Sequence, residues 1–240
     1  CSSDLLGGSR QGALAMKPMD EGHFAILRRH MVELIAIYGD LMSEEIGRAT
    51  FDERVLAAMM RVPRHRFVPA PLVPLAYQDA PLPIGFDKTI SQPFICALMA
   101  DLLAPERAHA VLEVGTGLGY QAAILAELVD RVWSVEVVEE LATEAASRLR
   151  ELGYTNVTLR IGDGSRGWAE HAPYDRILVT AAAEAPPAAL IGQLRPGGRM
   201  VMPIGPPDGQ QLTVVDKTAS GEVRARPVLP VRFTLLETVI

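Results

Sequence analysis

Apolar residues recur at three- and four-residue spacing through "HFAILRRHMVELIAIYG". This predicts a helix over residues 23–38, with Gly39 as its stop. A second helix is predicted over 52–61, "DERVLAAMMR", with Asp52 as its cap. The pattern then breaks. "VPRHRFVPAPLVPLAYQDAPLPIG" holds too many prolines for a long helix or a central strand. Yet it carries Phe67, Leu72, Leu75, Tyr77 and Leu82, so it is expected to pack against something. A loop this long and apolar is more often functional than idle.

From residue 94 the rhythm changes to alternation. Helix 94–103 precedes strand "AVLEVG", helix 120–129, strand "RVWSVEVV", helix 139–152 and strand "NVTLRIG". Strand "YDRILVTAAA", helix 187–194, a "PGG" turn, strand "RMVMPIG", then "QLTVVDK" and the β-rich tail "VRARPVLPVRFTLLE" complete the chain. Strands separated by helices of about ten residues predict an α/β fold with a mostly parallel sheet. The closing strands lack intervening helices, so an antiparallel edge is expected. The organisation expected is a disordered leader over 1–20 and a single domain over 21–240. Within it, 21–93 supplies helices and a substrate loop, 94–216 a cofactor-binding α/β core, and 217–240 a β tail.

Composition narrows the class. The chain has 240 residues, 49% hydrophobic and 22% charged, which suits a globular core. A net charge of −6 argues against a dedicated nucleic-acid binder, which shows a basic stripe. No apolar run approaches the roughly 18 residues that span a bilayer. The two cysteines, Cys1 and Cys96, form no disulfide framework and no zinc spacing. Cys1 followed by Ser-Ser is also how a mature lipoprotein starts, which would make a lipid-anchored exported protein.

The most informative stretch is "VLEVGTGLGYQAAILAEL". An apolar strand runs into Gly115, Gly117 and Gly119, then a helix whose first N–H groups are free. The spacing is G-x-G-x-G, whereas the dinucleotide fingerprint is G-x-G-x-x-G. Glu113 stands two residues before the first glycine. A pyrophosphate there would be repelled, while a sulfonium and an ammonium would be attracted. That selects S-adenosyl-L-methionine over a dinucleotide. Glu136 closes the next strand, 21 residues past Gly115, the usual place for an acid that accepts from ribose hydroxyls. Asp163 is placed to bond an adenine amino group and Gly164 to leave room for the ring; Asp-Gly is equally a good turn. The fold class expected is therefore the Rossmann-like S-adenosylmethionine-dependent methyltransferase fold, with N-terminal helices added.

The acceptor is narrowed by what is missing. No N-P-P-Y-like motif follows the fourth strand, no metal-ligand cluster is visible, and the five histidines show no paired spacing with carboxylates. A carboxylate acceptor, ionised at neutral pH, needs no general base. It needs alignment and removal of its water. In "DKTISQPF", Pro93 opens a helix, and Ser91 two residues earlier suits a helix cap. It also suits a loop hydroxyl that holds a substrate.

Several blocks together resemble the protein-L-isoaspartate O-methyltransferase family: "VLAAMMRVPRHRFVP", "AYQDAPLPIGFDKTISQP", the glycine block, "IGDGSRGWAEHAPYDRILVTAAA" and "LRPGGRMVMPIG". They cover roughly residues 24 to 236. The resemblance implies methylation of the free carboxylate of L-isoaspartyl and D-aspartyl residues, which starts repair through a succinimide. It implies Ser91 as the active-site serine, and Thr89 and Ile90, which line the same cleft, together with Gly115, Thr116, Gly117, Gly119, Glu136, Asp163 and Gly164 as cofactor contacts. Many relatives carry a histidine where this chain has Phe94. The implied partners are isoaspartyl-containing proteins and peptides, with no nucleic acid and no membrane, for a cytoplasmic monomer. Two rivals share the frame: an aspartyl methyltransferase that forms an aspartimide on a dedicated biosynthetic peptide, and a non-catalytic cofactor binder.

Overall fold

A computed structural model describes residues 19–47 and 49–238. Cys1 and the expected leader up to residue 18 lie outside the described residues. Helix α1 spans Glu21–Leu41 and begins at a reciprocal cap. The Asp20 carboxylate accepts from the His23 amide, and the His23 ring accepts from the Asp20 amide. Gly39 does not stop this helix, contrary to expectation. It is buried, and a Cβ there would fall 2.4 Å from the Phe51 ring. The glycine is a seat for Phe51, whose ring meets Phe94 edge-on at 6.0 Å. A short helix α2 follows (Ser43–Ile46), then α3 (Glu53–Arg61), capped by Asp52 at 2.8 Å from the Arg54 amide, as expected.

The proline-rich segment folds into two 3-10 turns, Arg64–Phe67 and Ala70–Leu75, and a hairpin. The hairpin pairs β1 (Leu82–Gly85) antiparallel with β2 (Lys88–Ile90). Helix α4 (Pro93–Leu103) follows. Its N-cap is Gln92, with no side-chain cap bond, so the capping role considered for Ser91 is not used.

The main sheet contains β3 (Ala110–Val114), β4 (Arg131–Glu136), β5 (Val157–Ile161), β6 (Tyr174–Val179), β7 (Leu194–Ile204), β8 (Gln211–Lys217) and β9 (Val223–Pro230). Their order is β5-β4-β3-β6-β7-β8-β9. The first five strands in that row are parallel, and β8 and β9 form the antiparallel edge. Helices α5 (Tyr120–Leu128), α6 (Glu139–Glu151) and α7 (Ala188–Gln193) make the crossovers. The "PGG" run does not precede β7; it lies inside it, as a bulge between the Tyr174–Leu194 and Arg176–Arg199 pairs.

Alternation along the central strands feeds two cores. Val111 and Leu178 join one with the N-terminal helices; Leu112, Val114, Ile177 and Val179 join the other. The chain leaves β3 toward β4 and β5, then returns to place β6 on the other side of β3. That reversal opens a crevice at the carboxyl ends of the strands, where such sheets bind ligands. No helix among the described residues is long and apolar enough to cross a membrane.

Candidate active site

The glycine loop turns tightly after β3. Gly115 takes φ +93°, and a Cβ on it would lie 2.3 Å from Thr180 Oγ1. Only glycine admits that approach. Thr180, just past β6, donates its hydroxyl to the Gly115 carbonyl at 2.7 Å and its amide to the Val114 carbonyl at 2.9 Å. The two strand ends at the reversal are thus tied together by one threonine.

Glu136 closes β4 and holds the next part of the loop. Its Oε2 accepts from the Gly117 amide at 2.8 Å. Its Oε1 accepts from the amides of Val137 and Val138 at 2.9 and 3.0 Å. The carboxylate is nearly buried, and it borders the cleft. Three amide donors fix its orientation and leave Oε2 able to accept from a ligand.

Glu113 sits lower. Sequence reasoning placed it among the cofactor contacts, but its side chain is fully enclosed and does not line the cleft. Ser134 Oγ donates to its Oε2, and the Thr116 hydroxyl meets the Ser134 hydroxyl at 2.6 Å. Oε1 has no hydrogen-bond partner. Burial pushes the carboxyl up to about 8; the Ser134 bond opposes this, and the Glu136 charge adds to it.

Asp163 caps the turn Gly164–Arg166 by accepting from the Ser165 amide and hydroxyl, and its side chain does not border the cleft. Gly164 does. Gly119 caps α5 at φ +97° and packs toward Leu149 rather than the cleft. Of the residues named from sequence, the cleft and its floor unite Thr89, Ile90, Ser91, Gly115, Thr116, Gly117, Glu136 and Gly164.

Three connected hollows share Thr89 and Thr180. One follows the glycine loop, Glu136 and Gly164. A second is the floor, where Ser91 joins Thr116, Tyr120 and Cys96. The third is an outer groove of about 460 Å³ bordered by Ser91, Gln92, Ile95 and the tail residues 230–234. Ser91 stands between floor and groove. Its loop is held from both sides. Arg64 Nη2 donates to the Ser91 carbonyl at 2.7 Å, while Asp79 accepts from the Phe94 amide at 2.8 Å and the Gln92 side chain at 2.7 Å.

Sequence reasoning missed Thr180, Lys88 and the tail. The tail passes over the glycine loop, with Ala182 bonded to both Thr234 and Leu236, and Gln210 clamping Phe233. Lys88 pairs with Glu237 across the opening. Thr180 had a usable signal: a hydroxyl at the end of the strand that neighbours the glycine-loop strand. The tail had none, because its contacts depend on chain reversal after β9.

A parallel sheet with a glycine loop at the reversal and an acid closing the next strand is the architecture of Rossmann-like methyltransferases that use S-adenosyl-L-methionine. The family model for protein-L-isoaspartate(D-aspartate) O-methyltransferase matches residues 39–238, and the chain belongs to that family. A protein-L-isoaspartate O-methyltransferase 1 from Polaromonas sp. strain JS666 is 54% identical over 91% of this chain and 93% of its own. A protein-L-isoaspartate O-methyltransferase 2 from Syntrophobacter fumaroxidans is 53% identical over 89% of this chain and 87% of its own. Among solved structures, a protein-L-isoaspartate O-methyltransferase superposes with a TM-score of 0.75 at 28% identity, over 87% of this chain and 65% of its own. A Plasmodium falciparum protein described as such an enzyme, in complex with S-adenosyl-L-homocysteine, gives 0.73 at 20% identity, over 88% and 98%; this likeness concerns the fold.

The residues present suit S-adenosyl-L-methionine. Glu136 offers a fixed acceptor beside the loop. It suits a ligand rich in donors, such as ribose hydroxyls, and does not suit a pyrophosphate.

Proposed function

We propose that this chain methylates the side-chain or α-carboxylate that L-isoaspartyl and D-aspartyl residues expose in damaged proteins. The ester then closes to a succinimide that reopens in part to normal aspartate. The observation that carries this reading is the junction at Ser91, where the floor beside the glycine loop meets the outer groove of about 460 Å³.

S-adenosyl-L-methionine, when bound, supplies an electrophilic methyl group. The chain's own residues bind, align and dry. Glu136 accepts from the ribose hydroxyls, Gly115 to Gly117 let the backbone come close, and Gly164 leaves room for the adenine. Asp163 acts by shaping the turn around Gly164. Ser91 donates to one oxygen of the acceptor carboxylate and turns the other toward the methyl. Thr89 and Thr180, common to all three hollows, border the path between donor and acceptor. No histidine borders the cleft among the described residues. An acceptor already ionised at neutral pH needs none. The nucleophile is the substrate's carboxylate, and Ser91 is its holder.

The reading carries a location with it: the cytoplasm, where the methyl donor is made, with the chain working as a monomer. The decisive experiment offers labelled S-adenosyl-L-methionine with an isoaspartyl peptide, its D-aspartyl form and its normal aspartyl form. Transfer to the first two is expected. Transfer to the normal form alone would replace repair with modification of a dedicated peptide.

A further inference from the structure

Arg64 is the largest fully buried side chain, with no exposed surface at all. It stands one layer below the floor of the cleft. Nε donates to the Ala76 carbonyl at 2.8 Å and Nη2 to the Ser91 carbonyl at 2.7 Å. The guanidinium lies 4.7 Å from the centre of the Tyr120 ring, and Tyr120 itself borders the floor. Nη1 has no partner.

Among the described residues, no carboxylate pairs with this cation. The acids nearby form hydrogen bonds to other groups, Asp79 to the Phe94 amide and the Gln92 side chain and Glu113 to Ser134, and neither makes an ion pair with Arg64. A guanidinium stays charged in proteins. Carbonyl dipoles and an aromatic face compensate it in part, but an enclosed charge without a counter-ion is costly. A neutral side chain of similar length would fill this space without that cost. The charge therefore has a use, and its position identifies the use: it touches the main chain of Ser91, the residue read as the acceptor's holder.

We propose that Arg64 is a positioning residue whose charge, without an ion-pair partner among the described residues, draws the substrate carboxylate to Ser91 while its Nη2 fixes the Ser91 loop. This rests on the reading of Ser91 as the acceptor's holder. The substrate carboxylate is the counter-ion that the fold lacks. Its reach is electrostatic, through the thin floor formed by Ser91, Cys96 and Tyr120, where little water screens it.

The chemistry gives this proposal a particular signature. Methyl transfer from a sulfonium to a carboxylate turns one positive and one negative charge into two neutral products. Both charges fade as the methyl moves. A fixed cation beneath the acceptor therefore stabilises the bound reactant more than the transition state. Losing the charge therefore weakens peptide binding and does not by itself slow the chemical step.

The test compares wild type, Arg64→Lys and Arg64→Met with an isoaspartyl peptide, alongside S-adenosyl-L-homocysteine affinity. For Arg64→Met, the peptide KM is expected to rise about tenfold or more, a larger factor than any fall in kcat from the loosened Ser91 loop, with cofactor affinity close to wild type. Arg64→Lys, which keeps the charge, recovers most of the loss. An unchanged KM in Arg64→Met overturns the proposal. So does a joint fall of kcat, cofactor affinity and Tm in both variants, which is the mark of a purely structural arginine.

A second measurement uses wild type alone and does not depend on the variants folding. The isoaspartyl peptide and its isosteric carboxamide compete for enzyme loaded with S-adenosyl-L-homocysteine. The carboxylate form is expected to bind at least about tenfold more tightly; equal binding overturns the proposal. Failure of wild type to methylate the peptide at all would be a different result, since it would remove the reading of the site itself.

Discussion

The two halves of the cleft are built on opposite plans. The glycine-loop half comes from consecutive strand-turn-helix units. β3 and its loop, then the end of β4, then the turn after β5, each deliver a residue to the same edge. The Ser91 half is assembled from segments far apart in the chain. Arg64 and Asp79 hold the loop, Thr180 reaches it from β6, and residues 230–234 form its far wall. The first half is fixed by backbone geometry and local turns. The second depends on side chains reaching across the fold. Damage in the first half should therefore fall on cofactor binding, and damage in the second on turnover or peptide binding.

The largest break expected is Gly115→Val. The side chain would need φ +93° and would overlap the Thr180 hydroxyl, which lies 2.3 Å from an ideal Cβ. Strain and overlap together should lower S-adenosyl-L-homocysteine affinity by about two orders of magnitude or more, read by calorimetry. Next is Glu136→Ala, which removes a carboxylate bonded to three amides. Cofactor affinity should fall about tenfold to a hundredfold, as expected for one or two lost charge-assisted bonds. Unchanged affinity would refute its ribose role. Ser91→Ala, in the other half, should cut kcat by about fivefold to tenfold, the worth of one hydrogen bond of about 1 kcal/mol. Cofactor affinity should stay within about twofold in the same variant. An equal collapse of both would erase the contrast between the halves.

The smallest effect concerns pH and Glu113. Its carboxyl is raised in the fold, from 4.5 to about 8, chiefly by burial. Between these values the native state holds a proton that the unfolded chain has released. Stability from this group is therefore complete below about 4.5 and is lost as pH rises toward 8. Glu113→Gln should flatten the fall of Tm between pH 5 and 8, in scans without cofactor. An identical slope in both proteins would show that Glu113 does not carry the proton.

Reading the chain alone goes furthest where function is local. "VGTGLG" with Glu136 and Gly164 is a contiguous pattern in each unit, and parallel crossovers bring such units to one edge without further information. The sequence also exposed "TISQP", by resemblance. It could not show why that loop is rigid. Arg64 reads as one of three basic residues in "RHR", and nothing local shows that Arg64 and His65 are buried while Arg66 is exposed. Gly39 reads as a helix stop because its partner, Phe51, is known only once α1 has folded back on the following segment. Glu113 reads as a ligand because it follows an apolar strand toward a glycine loop. Its enclosure behind Thr116 and Ser134 comes from the neighbouring strand.

The sequence by itself determined the α/β alternation, the antiparallel edge, the cofactor class and the family. Each of these is written in short-range periodicity, in glycine positions, or in blocks of adjacent residues. Tertiary structure decided the depth of each group and its partners. It enclosed Glu113, left Arg64 charged beneath Ser91, joined Thr180 to Gly115, and drew the tail across the opening. Those outcomes depend on which strand lies beside which and how far a side chain lies from solvent. Burial and long-range hydrogen bonding are properties of the packed chain, and no window of sequence contains them.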